Sequence, residues 1–367
     1  MTDDADARID ELQLEAGSLP AGPTKVSLLE EAVRLADSLG DVPRAYEVRN
    51  ELMEAATFSN RSDILLVTFA WCLAQYDRDP QQFDEHEIMW KYKWVVSNAT
   101  DFAAISRAQI EEMLADMQRR FDNRGYSLHA PFQIRRDVAI TLGDVEAACT
   151  AHERFLKTRS DWLSDCNACV PSNNITYYAF QGDYRKALQA AKPLLEGKLS
   201  CAEEPRRAYG EVLRPLLHLG RAEEAKEFHA QGYKLLGKAE HAVGEFAQHL
   251  EFVALVGDMA KAKKMFERRL PAALETVIAI DRYHFLKSVC ILFDVLLAQG
   301  TTSLKVRLPA DLAVTNAEGQ YDVAELRAWF AAEAYTIAAQ YDARDGNDYY
   351  VRGLDELPEV LKLGIPA

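Results

Sequence analysis

Leu213, Leu216 and Leu217, and later Phe246, Val253 and Val256, recur at spacings that put them on one face of an α-helix. Each set ends at a glycine. Beyond Gly182, Tyr184, Leu188, Leu194 and Leu195 start a second amphipathic run. The unit therefore reads as helix, glycine turn, helix. Its turn repeats: Gly40-Asp41 is followed by Ala45, Gly143-Asp144 by Ala148, Gly182-Asp183 by Ala187, Gly220-Arg221 by Ala225 and Gly257-Asp258 by Ala262. The last four glycines are 39, 38 and 37 residues apart, room for two antiparallel helices and a turn.

Each part of Gly-Asp-x-x-x-Ala has a mechanical role. Glycine can take the left-handed conformation that ends one helix, and the aspartate can cap the next by accepting its free N–H groups. The alanine, one turn further on, is small enough for the two helices to approach closely. This signature resembles the centre of a tetratricopeptide repeat, with Tyr178 at that family's first-helix tyrosine and Phe266 at its later aromatic position. His152, Ala191 and His229 occupy that later position in neighbouring units, and the period exceeds the family's roughly 34 residues by three to five. HEAT-type repeats, which run longer, are the alternative.

The resemblance implies an all-α fold, a right-handed superhelical solenoid of antiparallel helix hairpins. Residues 126–300 would carry the repeats, 21–125 divergent hairpins, and 1–20 an acidic segment. Residues 301–367 would add a short extended segment and a capping helix. That helix should start at Asp322, where Asp322 and Glu325 have capping-box spacing. Thr301–Pro309 alternates apolar and charged residues as one strand or arm, too isolated to make a sheet. A loop is expected over Gln75–Asp84, around Pro80, and a capped turn over Asp342–Asp348. Pro193 and Pro215 should kink their helices or mark boundaries.

Charge changes the list of partners. Lys and Arg total 42 against 57 Asp and Glu, a formal charge of −15, which repels phosphate backbones and excludes generic nucleic-acid binding. The acidic start lacks the pattern of a secretory signal, and no apolar run is long enough to span a bilayer, so a cytoplasmic protein without membrane contact is expected. Six cysteines in 367 residues are too few for a disulfide scaffold.

Cysteine spacing supplies the strongest chemical signal. Cys166 and Cys169 form a C-x-x-C at the start of one hairpin, and Cys201 falls 32 residues after Cys169, at the start of the next. Stacking would make the three sulfurs neighbours, and thiolate donors with one imidazole suit structural zinc. His229 is the candidate fourth ligand; His152, Asp165 or Glu203 could substitute. The competing readings are buried thiols acting as small apolar residues, and a redox pair. Cys72, Cys149 and Cys290 read as core.

Two clusters read as partner-binding candidates. Trp90, Tyr92 and Trp94 form an aromatic stripe that could bury as core or wall a groove for a peptide, with Lys91 and Lys93 at its rim. His241, Glu245 and His249 recur every four residues on a first helix, where they could receive a basic partner or a metal. Lys261, Lys263, Lys264, Arg268 and Arg269 read as a charged outer surface. No phosphate-cradling glycine loop, nucleophile elbow or kinase loop is present in the sequence. The function expected is non-enzymatic: a scaffold or adaptor that binds a protein or peptide in a concave groove, with one structural zinc. A peptide-sensing regulator is the alternative, followed by a metal- or thiol-dependent enzyme.

Overall fold

A computed structural model describes residues 2–237, 242–316 and 318–364, and the chain divides into two compact units. One comprises residues 1–138 and 152–164, the other 139–151 and 165–367.

In the first unit the helices α1 (Thr2–Ser18), α2 (Pro23–Leu39), α3 (Val42–Thr57), α4 (Ser62–Arg78), α5 (Glu85–Ala99) and α6 (Arg107–Asn123) pack in series, each on the next. The acidic start is thus a helix, and Ile9 and Leu12 of α1 are buried with Ala32, Ala36, Ala45 and Val48 of the following pair. Helix α7 (His129–Thr141) belongs to this unit up to Val138 and α8 (Val145–Leu156) from His152. Helix α4 continues through Gln75 to Arg78, so the loop expected from Gln75 begins four residues later. Asp79, before Pro80, leaves helical geometry with ψ at 81°.

The second unit takes in the remaining turns of α7 and α8. It continues with α9 (Cys169–Phe180), α10 (Tyr184–Leu195), α11 (Arg206–Glu211), α12 (Leu213–His218), α13 (Ala222–Leu236), α14 (Val243–Leu255), α15 (Met259–Glu275) and α16 (Ala279–Ala298). The strands β1 (Ser303–Lys305) and β2 (Gln320–Asp322) then precede α17 (Val323–Asp345), α18 (Tyr349–Asp355) and α19 (Leu357–Leu361). First helices follow one another, α9 against α11, α11 and α12 against α14, α14 against α16, while α10, α13 and α15 pack as their hairpin partners.

The repeated turn behaves as its chemistry requires. Gly40, Gly143, Gly182, Gly220 and Gly257 all have φ between 69° and 83°. The carboxylates of Asp41, Asp144, Asp183 and Asp258 accept the N–H groups of Arg44, Ala147, Lys186 and Lys261 at 3.0–3.1 Å. Arg221 supplies no such side-chain cap. Ala148, Ala187, Ala225 and Ala262 are fully buried and Ala45 nearly so. Replacing Ala187 by Leu is therefore expected to cost roughly 1–3 kcal/mol through overpacking between α9 and α10. Thermal denaturation checks this, and an unshifted melting temperature would contradict the helix approach described.

Three local expectations are corrected. The extended segment finds a partner: β1 pairs antiparallel with β2, Leu304 opposite Tyr321, in a two-stranded ladder. Asp342 lies within α17 rather than in a turn, and its buried carboxylate accepts the N–H groups of Tyr350 and Val351 at 2.8 and 2.9 Å. Two of the five basic residues near α15 face inward: Arg269 sits 4.6 Å over the Phe246 ring, and Lys261 reaches His229. Asp322 does cap α17, through the N–H of Glu325. Pro215 follows the break between α11 and α12, whereas Pro193 and Pro271 lie inside continuous helices.

At its C-terminal end the second unit returns to its own first turn. Tyr350 donates to the Thr141 carbonyl at 2.5 Å and Asn347 to that of Leu142 at 2.7 Å. Gly143 is required there twice, by its φ of 69° and because a Cβ would overlap the Tyr349 side chain.

Candidate metal centre and partner surface

Helix α9 opens at Cys169, and the turn before it folds Cys166 back so that its sulfur accepts the Cys169 N–H at 3.3 Å. The next hairpin begins with a turn in which Cys201 N–H donates to the Glu204 carbonyl at 3.1 Å. That turn carries Cys201 to within 3.6 Å of the Cys169 sulfur, and all three sulfurs lie within 4.8 Å of one another. Cys166 and Cys201 are exposed and Cys169 is half-buried. Burial pushes the Cys166 thiol up, but the N–H groups of Cys169 and Ala168 and the neighbouring thiols outweigh it, leaving a value below the ordinary one. Burial and the adjacent sulfurs drive Cys169 the other way. Three sulfurs this close, one of them with its ionised form favoured by backbone amides, are a donor set that suits a soft cation, whose coordination replaces their protons.

His229 does not join them. Its Nε2 lies 2.6 Å from Lys261 Nζ and its Nδ1 3.0 Å from His249 Nδ1, so both nitrogens are occupied inside the α13–α14–α15 packing. An ammonium can only donate, so His229 Nε2 accepts, its Nδ1 carries the proton, and His249 Nδ1 accepts in turn. The substitutes are also engaged: His152 beside Arg136, Glu203 with Arg206, and Asp165 with Asn173. Among the described residues the cluster thus comprises the three cysteines. Zinc or another thiophilic cation would take Cys166, Cys169 and Cys201 from the chain.

The partner-binding candidates separate. Tyr92 is only 4% exposed, with its hydroxyl on Asp116 at 2.7 Å, and His249 is 1% exposed; neither can meet a partner, because each points into its own helix packing. Trp90 and Trp94 are half-buried and meet edge to face, Trp94 against Phe58 and Trp90 beneath the Lys93 ammonium. Lys91 and Lys93 are not a rim: both are buried, Lys91 on Glu87 and Lys93 on the Leu163 carbonyl. Glu245 pairs with Arg206 at 2.5 Å. His241 lies outside the described residues.

Sequence reasoning missed Trp162, which is 66% exposed and stands 5.3 Å from His86 and 6.0 Å from Tyr126, extending the Trp90 aromatic group to the surface. It also missed the slot that holds His249. A Cβ at Gly232 would come within 2.5 Å of Tyr209 and 2.9 Å of the His249 ring, and one at Gly210 within 2.3 Å of Gln248. The available signal was two glycines inside strongly helical segments.

No family model matches the chain, and no curated protein does. Among solved structures it is similar to the TPR domain of P58(IPK), seen in a crystal structure at 2.5 Å. Sequence identity is 14%, 98% of each chain is covered, and the TM-score is 0.24. Buried alanines and left-handed glycines recur in successive hairpins of the chain, and four of the five second helices are capped by an aspartate. The fold is a tetratricopeptide-like helical repeat. No helix among the described residues is long and apolar enough to cross a membrane.

Proposed function

We propose that this chain is a non-enzymatic interaction protein of the cytoplasm, a scaffold or adaptor whose helical hairpins receive a protein or peptide in a groove. In this reading Cys166, Cys169 and Cys201 hold a structural zinc ion. The observation that carries it is the convergence of thiols from two successive hairpins. An ion there staples the first helix of one hairpin to the entry of the next, fixing the spacing on which a preformed recognition surface depends. The exposed Trp162 and half-buried Trp90 and Trp94 supply aromatic anchors of the kind that dominate binding energies.

Untagged protein from its native cell is expected to carry close to one zinc per chain by elemental analysis, and Cys201→Ser to lose most of it. Zinc retained in full by Cys201→Ser would refute this ligand set. Affinity capture with wild type and Trp162→Ala tests the partner surface: a reproducible partner lost in the variant supports it, and a partner bound equally by both removes Trp162 from the reading.

One observation favours a second reading. Three protein donors, two of them exposed, are also the count of a catalytic zinc. Three thiolates, however, place more negative charge on the ion than it carries, which blunts its power to acidify water. Cobalt substitution separates the two: a visible spectrum that shifts when azide is added marks an open, exchangeable site, and an unchanged spectrum marks a closed structural one.

A further inference from the structure

Zinc in a structural site takes four protein donors, and this chain brings three together. His229 is held by His249 and Lys261, while His152, Asp165 and Glu203 bond elsewhere, so none of them closes a tetrahedron. All three donors are sulfur. A soft donor set of that count suits an ion that is complete with three thiolates.

The sulfurs are already placed for one. Cys166 and Cys169 share a turn in which the Cys169 N–H donates to the Cys166 sulfur at 3.3 Å and the Val170 N–H to the Cys166 carbonyl at 3.1 Å. Cys201 comes from the next hairpin, its own N–H on the Glu204 carbonyl. Two sulfurs each about 2.3 Å from one central atom, at a near-tetrahedral angle, lie about 3.8 Å apart. The 3.6 Å between Cys169 and Cys201 is therefore close to that of sulfurs bonded to a shared atom, and all three fall within 4.8 Å of one another. Cys166 and Cys201 are exposed, which gives a small solute access. The remaining thiols do not compete: Cys72 and Cys290 are buried, and Cys149 accepts the Tyr177 hydroxyl at 3.8 Å.

We propose that Cys166, Cys169 and Cys201 bind trivalent arsenic, taken up as arsenous acid, in a three-coordinate thiolate site that links α9 to the turn before α11. The proposal rests on the ligand set of the zinc reading and not on zinc as its occupant. Arsenic(III) makes three bonds in a pyramid, and its lone pair fills the place of a fourth ligand, so three sulfurs satisfy it. The exchange needs no oxidant. As(OH)3 and three thiols give As(SR)3 and three waters, each As–O bond replaced by As–S and each thiol proton leaving on a hydroxide. Where zinc is resident, the three protons come from solvent and the metal departs as Zn2+.

Intact-mass measurement under native conditions tests this on the full-length protein, kept reduced by a thiol-free phosphine and titrated with arsenite. The expected adduct gains one arsenic and loses three hydrogens relative to the metal-free chain, and any zinc present is released mole for mole. Cys166→Ser, Cys169→Ser and Cys201→Ser should each weaken binding about tenfold or more, and Cys149→Ser should leave it unchanged. Should a serine variant not fold, the hydrogen count on the wild type decides alone. An adduct that keeps one hydroxyl on arsenic and loses two hydrogens, no adduct at all, full binding by any of the three variants, or binding lost in Cys149→Ser would each overturn the proposal. Protein that arrives without zinc and still binds arsenic through three sulfurs refutes the zinc reading alone; zinc retained against excess arsenite refutes this proposal alone.

Discussion

Acidification from pH 6 to pH 4 is expected to remove on the order of 5 kcal/mol of stability from the second unit through His229 and His249 alone. Burial, with Lys261 adding to it, lowers His229 from 6.5 to about 4; burial, His229 and Lys261 lower His249 to about 3. Both folded values lie below the unfolded one, so the unfolded chain binds more protons throughout this window. The stability these neutral rings contribute is complete above about pH 6.5 and is lost as pH falls, at roughly 1.4 kcal/mol per unit for each ring. Glu211 acts in the opposite direction. Burial raises it to about 7 despite Arg207, so the folded state takes its proton first and gains stability as pH falls through 7. The two effects separate by difference. Urea denaturation of wild type and of His229→Gln/His249→Gln across pH 4–7 should show the wild type losing stability faster on acidification. Parallel curves would mean that the rings are not held neutral by this packing.

Phe266→Ala carries the next largest effect, an expected loss of about 4 kcal/mol. Phe266 of α15 is fully buried among Phe285 and Phe293 of α16 and Phe330 of α17, with ring centroids at 6.4, 5.7 and 5.5 Å. Truncation leaves a cavity bordered by three helices that cannot all close on it, because α16 is also fixed to α14 and α17. The same substitution tests whether α17 caps the array. If α17 is integral, denaturation should stay a single transition at lower denaturant. An early separate transition would show α17 detaching from the rest.

The legible parts of this molecule were those decided by chemistry close in sequence. A glycine that must adopt positive φ and an alanine that must be small can be read five times over, and an aspartate that must cap four times, and together they place the hairpins. The proximity of Cys201 to Cys166 and Cys169 was readable for the same reason, since one repeat of offset makes equivalent positions neighbours. Rotational phase was not. His229 sits on a helix the period locates correctly, but whether its ring turns toward the thiols or toward His249 depends on Gly210 and Gly232, which open the slot from two other turns. The aromatic stripe failed similarly: Trp90 and Trp94 share one face of α5 while Tyr92 turns away to Asp116, and Trp162 joins the group from a loop whose path no periodicity encodes. Strand β2 offered three residues with one buried side chain, too short to announce itself.

Metal content is the most direct test of the central claim that hairpin-to-hairpin geometry here is fixed by an ion on Cys166, Cys169 and Cys201. Untagged protein purified without chelators should contain close to one zinc per chain, falling to background in Cys166→Ser/Cys169→Ser/Cys201→Ser at unchanged helix content. A wild type with no more zinc than that variant would contradict the account.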